Sequence, residues 1–90
     1  MSEETAAEAP SILIVDDEAH LRETVRDFLE FHGYRVDVAR SGEQALRKLE
    51  KAVPDLVILD ISMPGIGGMG FLQRVQDHDV SAPPILVLTA

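Results

Sequence analysis

Three apolar runs of four residues divide the chain: Ile12-Leu13-Ile14-Val15, Leu56-Val57-Ile58-Leu59 and Ile85-Leu86-Val87-Leu88. None alternates with polar residues. Runs of this kind predict short strands covered on both faces, as in a parallel sheet between helices. A fourth segment, Tyr34-Arg35-Val36-Asp37-Val38, alternates apolar and polar positions. It predicts a half-exposed strand at a sheet edge.

Between the runs the apolar positions take helical spacing. Leu21, Val25, Phe28 and Leu29 form one stripe over Ala19 to Phe31, with Asp16 or Asp17 available as the cap and Gly33 just past the end. Ser41-Gly42-Glu43-Gln44 has capping-box spacing. The helix it opens is expected to bury Ala45, Leu46 and Leu49 and to stop before Pro54. Met63-Pro64-Gly65-Ile66-Gly67-Gly68 reads as a loop. Met69 and Leu72, with Phe71 and Val75 beside them, line a third helix, weakened at its start by Gly70 and broken by Ala82-Pro83-Pro84.

The predicted order is therefore β-α-β-α-β-α-β. Helical crossovers imply parallel strands and right-handed connections. An alternating second strand belongs at an edge, which favours the spatial order 2-1-3-4. The strand order then reverses between the first and third strands, and ligands of open α/β sheets bind beyond the strand ends at that point.

Those two strands end in acid. Asp16 and Asp17 follow the first and Asp60 closes the third. Three carboxylates in one pocket are not comfortably ionised together without a cation. The pocket predicts a divalent-metal site with one aspartate left for chemistry. Each residue alone has a plainer role. Asp16 and Asp17 suit a helix cap, Asp60 a strand-ending turn, and Thr89 a strand. The order of the motifs along the chain raises the functional reading above these. His20, His32 and His78 have no ligand spacing.

Composition narrows the classes further. Ninety residues make one domain, with residues 1–10 expected to be a disordered acidic tail and residues 11–90 the domain. Sixteen acidic against eight basic residues give a net charge of −8, which argues against direct nucleic-acid or anionic-membrane binding. There is no cysteine, so thiolate metal sites and disulfides are excluded. The N-terminus lacks a secretory pattern, and no apolar stretch reaches membrane-spanning length. A cytoplasmic protein is the expectation.

Asp16-Asp17, Asp60, Met63-Pro64-Gly65 and Thr89-Ala90, in this order at successive strand ends, resemble the receiver domain of two-component response regulators. The resemblance covers residues 11 to 90. It implies a flavodoxin-like three-layer α/β fold. It also implies that Asp60 is a phospho-acceptor, phosphorylated by a histidine kinase or phosphotransfer protein to switch an output domain in a longer parent protein. Mg²⁺ would be held by Asp17, Asp60 and the Ser62 backbone carbonyl, with Asp16 acting through bound water. Thr89 would hydrogen-bond a phosphoryl oxygen, Ala90 would leave it room, and Pro64 would stiffen the loop. Such a module is not an enzyme beyond promoting its own phosphorylation and dephosphorylation.

The chain also departs from the family pattern. Receiver domains continue into a fourth helix, a lysine-bearing fifth strand and a fifth helix, all lacking here, so an incomplete C-terminus is expected. Lys48 and Lys51 lie too far from the switch point to replace that lysine. Gly67 and Gly70 stand where the family often has acidic residues. An open fourth-strand edge and an uncovered first-helix face suggest a homo-oligomer. A non-phosphorylating assembly module is the main alternative. An aspartyl-phosphate phosphohydrolase fits less well, because such enzymes want a second aspartate where Ser62 stands.

Overall fold

The computed structural model describes residues 9–63, 65–77 and 82–88. Strands β1 (Ser11–Val15), β2 (Arg35–Ala39), β3 (Leu56–Asp60) and β4 (Ile85–Leu88) alternate with helices α1 (Ala19–Phe31), α2 (Gly42–Lys51) and α3 (Gly67–Asp77). The strands form one sheet in the order β2-β1-β3-β4, and every pairing is parallel. Leu13 stands beside Val57, and Val57 beside Ile85, so these three share one face. Together with Val15 and Leu59 they pack on Ala45 of α2 and on Phe71 and Val75 of α3. Val15, Val57, Leu59 and Phe71 are fully enclosed, which makes this the principal core.

Successive strand residues point to opposite faces. Ile12, Ile14, Ile58, Leu86 and Leu88 therefore face the other way, and α1 packs there on β1 and β2. Ile12 and Ile14 are buried, but no residue of α1 is. The expected core stripe of α1 is thus only half realised. Val25 and Leu29 are half-buried, whereas Leu21 and Phe28 stay 43% and 61% exposed. The cause lies in the layer: no described helix covers β3 and β4 on this face, so the outer part of the stripe meets water. The same geometry leaves β4 open. Of its four apolar residues, Leu86, Val87 and Leu88 are exposed, so the run stands at an edge although it has the composition of an interior strand.

Local sequence explains most element ends. Glu18, not Asp16 or Asp17, caps α1, its carboxylate accepting from the amides of His20 at 3.2 Å and Leu21 at 2.8 Å. All three acids suit a cap, and the backbone turn selects the last. At the other end Gly33 takes φ +94°, the left-handed region open to glycine. This lets the Gly33 amide reach the Glu30 carbonyl and the Tyr34 amide the Leu29 carbonyl, the paired bonds of a Schellman ending. Ser41 caps α2 as expected, its hydroxyl accepting from the Gln44 amide at 3.1 Å. The Gln44 side chain reaches back one residue further, to the Arg40 amide.

Helix α3 begins inside the predicted loop and in a different phase. Gly68, Phe71, Leu72 and Val75 face inward, and Met69 is 63% exposed. The spacing i, i+3, i+4, i+7 is kept, but its first member is a glycine.

Edge strand β2 is held from two sides. Arg35 donates from Nε to the Ala9 carbonyl and from its amide to the Pro10 carbonyl, so the last two residues of the expected tail lie along the strand. Residues 1–8 lie outside the described residues. Lys48 places Nζ 2.7 Å from Asp37 Oδ1 and 2.7 Å from the Val38 carbonyl. The Val38 amide donates to that same Asp37 oxygen.

Candidate functional site: an acidic pocket at the switch point

The site is built where β1 and β3 end side by side. The Asp16 amide donates to the Ala39 carbonyl at 3.0 Å, extending the β1–β2 pairing by one residue. The Asp16 carbonyl accepts from Arg22 Nη1 at 2.8 Å, and its Oδ1 accepts from the Glu18 amide at 2.9 Å. These three bonds fix both the backbone and the rotamer of Asp16, which is buried. Burial pushes its carboxyl above the usual aspartate range. The Glu18 amide pulls the other way, and the charges of Asp60, Asp17 and Glu18 push it further up. Asp17 follows at the exposed lip.

Asp60 is the last residue of β3 and pairs with Leu88 of β4. The next amide, of Ile61, donates to the Leu88 carbonyl at 3.2 Å. The chain then turns, and Ser62 folds back onto Asp60. Its amide and its hydroxyl both donate to Asp60 Oδ1, at 3.0 and 2.8 Å. Carboxylate oxygens of Asp16, Asp17 and Asp60 lie within 4.8 Å of one another. The sequence prediction that these three meet is met by the geometry. Three hard oxygen donors, with no nitrogen or sulfur among them, suit Mg²⁺ or Ca²⁺ rather than a softer metal. Burial and mutual repulsion also leave Asp16 favouring neutralisation, which a cation would supply.

Glycines set the loop beside the pocket. A β-carbon at Gly68 would lie 2.4 Å from Ile61 Cα and 2.7 Å from the Asp60 carbonyl oxygen. Helix α3 thus docks by backbone contact on Asp60 and Ile61. Ile66 fills the space between two further glycines, 2.9 Å from a β-carbon built on Gly42 and 3.0 Å from one on Gly70.

Glu18, Arg22 and Gly68 are residues of this neighbourhood that sequence reasoning did not single out. Glu18 stands directly before the helical stripe, a cap position. Gly68 lies in phase with Phe71 and Val75. Nothing in the sequence marks Arg22. Lys48 and Lys51, the two lysines of the chain, border a groove with Ser11 and Arg35 at the starts of the strands. Lys48 is engaged at the β2 edge by Asp37 and the Val38 carbonyl, and β1 separates that strand from the β3 that carries Asp60. Pro64, Thr89 and Ala90, and with them the roles expected at those positions, fall outside the described residues.

A parallel sheet flanked by helices on both faces, with three carboxylates converging at its switch point, defines an α/β protein of the doubly wound class. The match is narrower than that class: the chain belongs to the response regulator receiver domain family, whose model matches residues 12–90. It is 42% identical over 79 residues to the transcriptional regulatory protein TrcR of Mycobacterium tuberculosis, covering 88% of this chain and 30% of TrcR. It is 40% identical to the transcriptional regulatory protein ResD of Bacillus subtilis, covering 88% of this chain and 32% of ResD. The chain thus spans about a third of the length of these relatives. Among solved structures it resembles the response regulator TrrA of Thermotoga maritima in complex with Mg²⁺-BeF. The TM-score is 0.81 at 43% identity, over 90% of this chain and 70% of that one. A receiver N-terminal domain from Methanoculleus marisnigri gives a TM-score of 0.86 at 39% identity, covering 90% and 67%. The strand order 2-1-3-4 is the flavodoxin-like order of this family.

Proposed function

We propose that this receiver domain accepts a phosphoryl group on Asp60, in a Mg²⁺-dependent reaction supplied by a histidine kinase or phosphotransfer protein. The observation that carries the reading is the convergence of Asp16, Asp17 and Asp60 at one strand-end pocket. The likeness to a response regulator in complex with Mg²⁺-BeF supports it.

A lone pair on an Asp60 carboxylate oxygen attacks phosphorus. The bond from phosphorus to the donor nitrogen breaks, and its electron pair leaves with the donor. An acyl phosphate on Asp60 results. Asp17, Asp60 and the Ser62 carbonyl would hold Mg²⁺, and Asp16 would act through water. When bound, the ion neutralises charge on the transferring phosphoryl oxygens. The protein supplies position: Asp16 is locked by three hydrogen bonds, and Asp60 is held by strand pairing and by Ser62. The family resemblance would give Thr89 a hydrogen bond to a phosphoryl oxygen and Ala90 the room for it.

The phosphorylated domain then switches an output domain in a longer parent protein, in keeping with the share of the relatives that it spans. The parent protein acts in the cytoplasm. No helix among the described residues is long and apolar enough to cross a membrane. The test is mass spectrometry after incubation with acetyl phosphate and Mg²⁺. A phosphoryl adduct is expected on Asp60 and is expected to vanish in Asp60→Asn. An adduct on Asp16 or Asp17 that survives this substitution would overturn the assignment.

A further inference from the structure

Asp60 has two tasks in the proposed reaction, one as cation ligand and one as nucleophile. It has two oxygens with which to perform them. Oδ1 receives two donors from a single residue, the Ser62 amide and the Ser62 hydroxyl. The two donors differ in kind. The amide belongs to the turn that leaves β3 and moves only with the backbone. The hydroxyl sits on one rotatable bond, and Ser62 is exposed, so the hydroxyl can swing to water at little cost. At 2.8 Å it is a charge-assisted bond of good length.

A hydrogen bond to one oxygen draws charge from the whole carboxylate, because the charge is shared between both. A cation competes for that same charge. We infer that Ser62 is a positioning residue whose hydroxyl restrains Asp60 in the cation-free site, stands in for part of the cation's charge, and is released when Mg²⁺ binds. Ser62 thereby sets how tightly the pocket holds the ion, separately from any ligand role of its backbone carbonyl. The inference rests on the proposed Mg²⁺ site and adds to it a side chain that opposes loading.

The sign follows from the competition. Removing the hydroxyl removes a bond that competes with loading, so Ser62→Ala binds Mg²⁺ more tightly than the natural chain, by about two- to threefold, the low end for one hydrogen bond because the hydroxyl is exposed. Ser62→Thr keeps a hydroxyl at the same branch point and binds Mg²⁺ less tightly than Ser62→Ala. A side chain with only a structural role would give no such split between alanine and threonine. Neither variant is expected to unfold the exposed turn.

The experiment is a Mg²⁺ titration, by calorimetry or melting shift, of the natural chain, Ser62→Ala, Ser62→Thr and Asp60→Asn. Tighter binding in Ser62→Ala than in either the natural chain or Ser62→Thr, with loss in Asp60→Asn, supports the inference. If the natural chain binds Mg²⁺ and Ser62→Ala binds equally or more weakly, the restraint is overturned and the metal site stands. If the natural chain shows no response to Mg²⁺, the metal site itself fails and the inference falls with it.

Discussion

Gly68 and Ile61 meet backbone to backbone: a β-carbon on Gly68 would come within 2.4 Å of Ile61 Cα, closer than any packed pair allows. Neither partner can yield without moving a main chain. Gly68→Ala is therefore expected to destabilise the fold by about 1–3 kcal/mol, the range for overpacking a tight site. Gly70→Ala provides the contrast. Its nearest neighbour is the Ile66 side chain, and alanine adds helix propensity of about 1 kcal/mol over glycine. Denaturant unfolding should rank Gly68→Ala well below Gly70→Ala. Equal stabilities would mean that the docking of α3 on the Asp60 turn is looser than described.

Two aspartates should shape the pH dependence of stability, in separate windows. Burial raises the Asp16 carboxyl, with the neighbouring charges adding to it. The folded state then holds this proton more tightly than the unfolded chain. Stability should rise as pH falls from neutral through the raised Asp16 value, and level off below the ordinary aspartate value. For Asp37, burial pushes up, but the Lys48 hydrogen bond, the Val38 amide and the Lys48 and Arg26 charges together outweigh it, and the carboxyl is lowered. Its contribution is full above the ordinary value and is lost as pH falls through the lowered one. Unfolding measured across pH without divalent ions should lose the upper rise in Asp16→Asn and the lower fall in Asp37→Asn. A natural profile unchanged by Asp16→Asn would contradict the upper assignment.

Mg²⁺ should stabilise the natural chain by about 1–3 kcal/mol at concentrations about ten to a hundred times Kd, because it binds only the folded arrangement. A melting-temperature rise with Mg²⁺ is the readout. Asp17→Ala should abolish the rise. A rise that survives Asp17→Ala would place the ion elsewhere.

Glu18 neighbours these acids but does different work. Glu18→Ala removes a carboxylate that two helix amides use, and should destabilise by about 1 kcal/mol. The Mg²⁺-induced melting shift should persist in that variant. Its disappearance would make Glu18 part of the ion site rather than the cap.

The strand order and the acidic pocket were legible in the sequence because each rests on a pattern with few alternatives. Ile12–Val15 and Leu56–Leu59 are unbroken apolar runs, and both end in aspartate. An edge strand is marked by the alternation of Arg35, Val36, Asp37 and Val38. The cap of α1 was less legible. Asp16, Asp17 and Glu18 are all competent acceptors, and only the turn geometry distinguishes them. The phase of α3 was obscured by Gly68, which faces inward without a side chain to show it. The exposure of Leu21, Phe28 and Leu86 could not be read from their stripes, because periodicity shows which side of an element is apolar and not how far its cover extends.

The Lys48 contact with β2 bears on how the sheet can be enlarged. Residues 35, 37 and 39 turn their main chains toward β1, so Val36 and Val38 present theirs to the outer rim. At Val38 both groups are already taken, the carbonyl by Lys48 and the amide by Asp37. A strand approaching that side meets a satisfied backbone and a charged pair in its path, a common guard against edge-to-edge growth. The opposite rim, at β4, has no such guard among the described residues. The two rims of the sheet therefore differ in their capacity for extension: a strand added beside β2 would meet a satisfied backbone at Val38, whereas one added beside Ile85–Leu88 would not.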